Sequence, residues 1–166
     1  LTPVNPKQCL PLVSDKPLII ETLENLQDIF PKENIYIATS EHLKEKLSKL
    51  VNTKYITEPC AKNTTGCIGL TCIQLLKKDP EAIIFIETAD HYYKNREDYH
   101  RHVKEAISIA KEDKIVTIGI KPFFPATGFG YLAPAENYRT EGIQSFEVKE
   151  FKEKPELEVA RDFVKQ

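Results

Sequence analysis

Apolar positions along the chain keep two rhythms, and the two alternate. Ile19, Leu23, Leu26 and Phe30 recur at helical spacing, so a helix is predicted from Pro17 onward, with Pro17 suited to a first turn. Residues 34–39 read as a strand, after which Ser40 can cap a second helix carrying Leu43, Leu47 and Leu50. Residues 55–58 are a short strand stopped by Pro59. A third helix, starting near Asn63 or Thr64, is expected to bury Ile68, Cys72, Leu75 and Leu76. The run 82–86 is apolar without alternation, which suits a strand covered on both faces, as in a parallel sheet. A helix over 96–111, burying Val103, Ala106, Ile107 and Ala110, and a strand over 114–120 continue the series. Strand and helix in turn argue for a doubly wound α/β layer with right-handed crossovers.

The two ends depart from this rhythm. Pro3, Pro6 and Pro11 make the first 15 residues an extended or looped segment. Residues 121–130 are rich in Pro and Gly, and 143–151 form a long candidate strand with no helix before it. The last third is therefore expected to be a β-rich extension of the same domain, closed by a helix from about Glu156. With no repeat and no low-complexity segment, one domain over 1–166 suffices.

Composition narrows the function classes. The 166 residues are 41% hydrophobic and 29% charged, as in a soluble globular domain, which excludes disordered and fibrous readings. A formal net charge of −2, with no long block of one sign, argues against nucleic-acid binding. No stretch approaches the roughly 18 apolar residues of a membrane span, and the start does not resemble a signal peptide. Cys9, Cys60, Cys67 and Cys72 match neither a zinc ribbon nor a CxxC pair and read as buried free thiols, which fits a reducing, cytoplasmic setting. There is no Met, and all six glycines lie at Gly66 or beyond.

In open α/β sheets, ligands bind beyond the carboxyl ends of the strands. Three such places are unusual here. After the 82–86 run comes Glu87-Thr88-Ala89-Asp90-His91, where an acidic residue, Asp90 first, can hold a magnesium ion shared with substrate phosphates or simply cap a turn. After residues 55–58 comes a polar loop, Glu58-Pro59-Cys60-Ala61-Lys62-Asn63-Thr64. It leads into helix amides able to receive an anion or the edge of a base, or into ordinary capping by Asn63 or Thr64. Gly66 and Gly69 inside that helix suggest close approach of a backbone or ligand. Thr127-Gly128-Phe129-Gly130-Tyr131 offers backbone donors beside aromatic rings, as a sugar-binding wall or a tight turn would. Lys7 and Lys154 stand next to prolines, on stiffened loops from which a lysine can meet phosphate or solvent. His100 and His102, two apart on a helix, cannot converge on one ion.

Taken in order, five segments resemble the mannose-1-phosphate guanylyltransferases. They are Pro6-Lys7-Gln8-Cys9-Leu10-Pro11-Leu12, Glu58-Pro59 with Lys62-Asn63-Thr64, Ala89-Asp90-His91-Tyr92, Gly119-Ile120-Lys121-Pro122 with Thr127-Gly128-Phe129-Gly130-Tyr131, and Phe151-Lys152-Glu153-Lys154-Pro155. The resemblance implies a Rossmann-like nucleotidyltransferase fold, mostly parallel, with helices on both faces. Its first strand and glycine-rich phosphate loop are expected upstream of these residues, and the rest of the sugar pocket downstream. It also implies GTP and mannose 1-phosphate as substrates and GDP-mannose and pyrophosphate as products, with Mg2+ as cofactor. Another hexose 1-phosphate, or a non-catalytic nucleotide-sugar-binding paralogue, are the alternatives. By the same resemblance Asp90 would bind magnesium, Lys7 would contact the triphosphate, and Glu58, Pro59, Asn63 and Thr64 would lie near the nucleotide. Gly128 would meet the sugar, Glu153 its hydroxyls, and Lys154 its phosphate. A homo-oligomer is among the states the sequence allows. The family has tyrosine in place of Phe129 and a different run in place of Thr65-Gly66-Cys67, a change that bears on base preference.

Overall fold

The computed structural model describes residues 6–60, 62–139 and 142–165. The chain divides into two compact units, residues 1–100 and 101–166. The first is built on a parallel pair of strands, β1 (Tyr36–Ser40) and β2 (Lys54–Glu58), in register from Tyr36 opposite Lys54 to Ser40 opposite Glu58. Parallel neighbours require a crossover, and α2 (Glu41–Leu47) supplies it. Ser40 ends β1 and caps α2, its Oγ accepting from the Leu43 amide at 3.4 Å as the sequence predicts.

α1 (Leu18–Gln27) precedes the pair, and α3 (Asn63–Leu76) follows it and touches both strands. The core joins Ile19 and Leu23 of α1, Ile35 and Ile37 at β1, and Leu47 and Val51 around α2. A short 3-10 turn, Lys7–Cys9, opens the described chain, with Leu10 donating to the Lys7 carbonyl at 3.1 Å. Residues 1–5, including Pro3 of the predicted extended opening, lie outside the described residues.

α4 (Arg96–Ala110) begins in the first unit and continues in the second. Val103 is fully buried and Ile109 nearly so, while Ala106, Ile107 and Ala110 are half-buried. The second unit is dominated by an antiparallel hairpin of β3 (Gly130–Arg139) and β4 (Ser145–Glu153), followed by α5 (Leu157–Lys165). Tyr131 of β3 stacks on Phe163 of α5, ring centroids 5.3 Å apart. The β-rich last third and its closing helix are thus where the pattern puts them.

Three expectations need correction. Residues 82–86 and 114–120 form no ladder among the described residues. A run of apolar side chains favours burial, but a strand also needs a partner edge to take its amides and carbonyls. Without one, Ile83 and Ile86 are exposed rather than covered on both faces, and Ile115 and Ile120 stand in solvent. Second, α3 has no buried residue: its stripe is half-buried at Ile68, Cys72 and Leu75, and Leu76 is exposed. Third, the four cysteines are free but not buried, with Cys60 exposed and the others half-buried. Partial burial still pushes the Cys9 and Cys67 thiols up.

Candidate functional site

Lys7 and Asp90, 83 positions apart in sequence, meet as an ion pair in the first unit. Each is placed by a neighbour that packs on one hydrophobic core. Cys9, at the end of the Lys7 turn, and Ala89, directly before Asp90, both lie against the cluster of Ile19, Leu23, Ile35, Ile37, Leu47 and Val51. The polar pair is therefore held from below by apolar contact on both sides. The Lys7 ammonium, bonded to the carboxylate, holds Asp90 below its ordinary value; partial burial opposes this and the Thr88 hydroxyl adds to it. At neutral pH the site offers an ionised carboxylate beside a cationic amine, the pairing that a phosphate with its counter-cation exploits.

A cleft of about 210 Å³ opens at the carboxyl end of β2, lined by Glu58, Pro59, Cys60, Lys62, Gly66 and Leu70. β2 ends at Glu58, and Asn63, the first residue of α3, turns the chain with a left-handed φ of 59°. Lys62 occupies the cap position and its side chain makes no cap hydrogen bond, so neither Asn63 nor Thr64 is the capping residue. Glu58 and Pro59 line the cleft; Asn63 and Thr64 stand exposed at the start of α3 and do not line it. Of the two unusual glycines, Gly66 is explained by space, since a Cβ there would meet the Lys62 Cβ at 2.8 Å. Gly69 has nothing within 4 Å, so no neighbouring backbone approaches it among the described residues.

The second unit gathers Gly128, Glu153 and Lys154 at one end of the β3–β4 hairpin. Gly130 pairs with Glu153, and the Lys154 amide donates to the Phe129 carbonyl at 3.1 Å. Gly128 is open on its Cβ side. Glu153 and Lys154 are exposed and 3.4 Å apart, and Lys154 has a φ of 43°, a conformation an L-residue holds only at a cost. Phe129 is exposed. Tyr131, the last residue of the segment read as a sugar-binding wall or a tight turn, is buried and its hydroxyl donates to the Ala126 carbonyl at 2.9 Å.

The sequence did not single out Lys62 and Leu70 as cleft residues, nor the carboxylate of Glu87 with Tyr93 and Tyr99 as a group. Tyr99 donates to Glu87 Oε2 at 2.9 Å, and the Tyr93 and Tyr99 rings stack at 4.0 Å. The available sign was a charged residue at the end of an apolar run, followed by tyrosines six and twelve positions on. Among the described residues, no cluster of three or more His, Cys, Asp or Glu could hold a metal, and no helix is long and apolar enough to cross a membrane.

Comparison with known proteins shows what the chain as a whole is similar to. The nucleotidyl transferase family model matches residues 1–166. The chain is 31% identical over 168 residues to a mannose-1-phosphate guanylyltransferase 2 of Escherichia coli O157:H7, covering 93% of this chain and 34% of that protein. It is 30% identical over 167 residues to a mannose-1-phosphate guanylyltransferase of Escherichia coli K12, covering 96% and 35%. It thus spans about a third of the length of these relatives. A crystal structure from Thermus thermophilus, described as a mannose-1-phosphate geranyltransferase, superposes with a TM-score of 0.88 at 26% identity, over 99% of this chain and 48% of that one. The path of the chain is therefore that of a Rossmann-like α/β fold, as the alternation of strand and helix predicts.

Proposed function

The chain belongs to the nucleotidyl transferase family, and from that premise we propose that it serves the transfer of a nucleotidyl group from a nucleoside triphosphate to a sugar 1-phosphate, with GTP and mannose 1-phosphate as the substrates. The observation that carries this reading is the Lys7–Asp90 pair, seated on both sides against one core. The guanylyltransferase relatives support the choice of sugar and base. We also read residues 1–166 as part of a catalytic domain, because the runs 82–86 and 114–120 lack ladder partners among the described residues.

In this reaction an oxygen of the sugar phosphate attacks the α-phosphorus in line. The new phosphorus–oxygen bond forms as the bond to the β-phosphate oxygen breaks, and pyrophosphate leaves with the electron pair. No covalent enzyme intermediate is needed; positioning and charge neutralisation carry the rate. Lys7, a point charge on a fixed turn, neutralises the triphosphate. Glu58 and Pro59 line the cleft for the nucleoside, with Asn63 and Thr64 beside it at the start of α3. In the second unit, Gly128 leaves room for the sugar, Glu153 binds its hydroxyls and Lys154 its phosphate.

Asp90 suits a magnesium ion. It is one ionised, half-exposed carboxylate without a surrounding cage of further ligands among the described residues, and Mg2+ takes one or two carboxylates and completes its shell with phosphate oxygens and water. Bound there, the ion would supply charge neutralisation on the phosphates.

The test is pyrophosphate release from the intact protein with Mg2+, mannose 1-phosphate and each of the four nucleoside triphosphates. Release with GTP is expected. Release only with another hexose 1-phosphate or base reassigns the substrates. Nucleotide binding that raises the melting temperature with no release under any pairing makes the protein a binding paralogue and overturns the catalytic reading.

A further inference from the structure

Glu87 is a carboxylate that the proposed reaction does not use, and its side chain is only 7% exposed. Burying a charge is costly unless hydrogen bonds replace its water, and here they do. Tyr99 donates to Oε2 at 2.9 Å, and Tyr93 lies 3.2 Å from Oε1 and 3.1 Å from Oε2. The Thr88 amide donates to Oε1 at 3.0 Å, and His91 Nδ1 is 3.2 Å from the same oxygen. Burial, then the charge of Glu87, push both phenols far above their ordinary range, so both hydroxyls remain protonated donors at neutral pH. With its lone pairs taken up this way, Glu87 is not itself placed to bind a cation.

What the carboxylate does is join two pieces of structure. Tyr99 belongs to α4, whose first turn is fixed independently. The Asn95 side-chain oxygen accepts from the Asp98 amide at 3.1 Å, and Arg96 lies 3.5 and 3.6 Å from the carboxylates of Glu21 and Glu24 on α1. Three residues after Glu87 stands Asp90, and between them Ala89 packs on the core. The loop is thus pinned at Ala89 by apolar contact and at Glu87 by a buried polar link to a braced helix.

We propose that Glu87 is a positioning residue: by binding Tyr93 and Tyr99 it fixes the 87–91 loop so that the Asp90 carboxylate is held for Lys7 and a divalent cation. This rests on the reading of Asp90 as the metal ligand. Partners of this kind behind a ligand contribute about 10- to 100-fold in metal affinity or rate.

The experiment compares wild type with Glu87→Gln, Tyr99→Phe and Asp90→Asn in the intact protein. Mn2+ serves as a spectroscopic probe, titrated by electron paramagnetic resonance with GTP present; melting temperature and steady-state kinetics with Mg2+ are measured alongside. Glu87→Gln and Tyr99→Phe are expected to weaken Mn2+ binding about 10-fold and to lower kcat by a similar factor. The KM for GTP should stay close to wild type, and the melting temperature should fall modestly, because each variant loses a buried hydrogen bond. If Glu87→Gln does not fold, Tyr99→Phe, which removes one hydroxyl and keeps the ring, decides. Unchanged Mn2+ affinity in the variants, with Asp90→Asn losing it, overturns the positioning role alone. Mn2+ affinity that Asp90→Asn leaves intact removes the metal-ligand reading, and the positioning role with it.

Discussion

Asp90 sets how the candidate site responds to pH. Its folded-state value lies below the ordinary 3.8, first because Lys7 bonds to it. A carboxylate depressed by folding contributes stability that is complete above its unfolded value and is lost as pH falls through the folded one. The stability difference between wild type and Asp90→Asn should therefore be constant from neutral pH to about pH 5 and shrink below about pH 4, measured by urea unfolding. A difference that stays flat down to about pH 3 would mean that Lys7 does not hold the carboxylate. In turnover, Asp90→Asn should lower kcat by about 100-fold or more with the fold intact. Lys154 makes the opposite trade. At a φ of 43°, an L-residue carries a conformational cost of about 1 kcal/mol that glycine does not. Lys154→Gly should raise stability by up to about that amount while raising the KM for the sugar phosphate; equal losses in both would deny the strain. Asp90 was legible in the sequence because it lies in the polar segment after the apolar run 82–86, and Lys154 because it stands next to Pro155. The Glu87 link was not, because its meaning depends on hydroxyls that only the fold brings to it.

Among the elements, α3 shows how two glycines in one helix can differ. Gly66→Ala would place a methyl 2.8 Å from the Lys62 Cβ, a backbone-attached atom that moves only if the turn moves. It should cost about 1–2 kcal/mol and weaken nucleotide binding, since Lys62 and Gly66 both line the cleft. Gly69→Ala meets nothing within 4 Å and should stabilise by about 0.5–1 kcal/mol through helix propensity alone. Melting curves of the two variants check this, and shifts of the same sign would refute it. The five α-helices among the described residues were readable because a helix satisfies its own backbone and needs from the rest only a surface for its stripe. Strands depend on partners. β1 and β2 found each other across α2, whereas 82–86 and 114–120 have the apolar content of strands without an edge to pair with among the described residues. No periodicity in a single segment reports whether its neighbour is present.

At the scale of the whole molecule, the path of the chain and the pairing of its strands come apart. The path is that of a Rossmann-like nucleotidyltransferase fold, yet ladders exist only within β1–β2 and β3–β4 among the described residues. Helix packing on the Ile19–Val51 core in the first unit, and the hairpin with Tyr131 on Phe163 in the second, are what hold each unit. Amide protection follows hydrogen bonding and burial rather than hydrophobicity, and this separates the two kinds of segment in solution. In hydrogen exchange on the 166-residue chain by itself, the paired amides of residues 36–40 and 54–58 should be protected. Those of 83–86 and 115–120 should exchange close to the unprotected rate despite their isoleucines, because Ile83, Ile86, Ile115 and Ile120 face solvent and carry no ladder among the described residues. Strong protection there would show that the two runs pair after all, and that the parallel sheet is wider than the two strands β1 and β2.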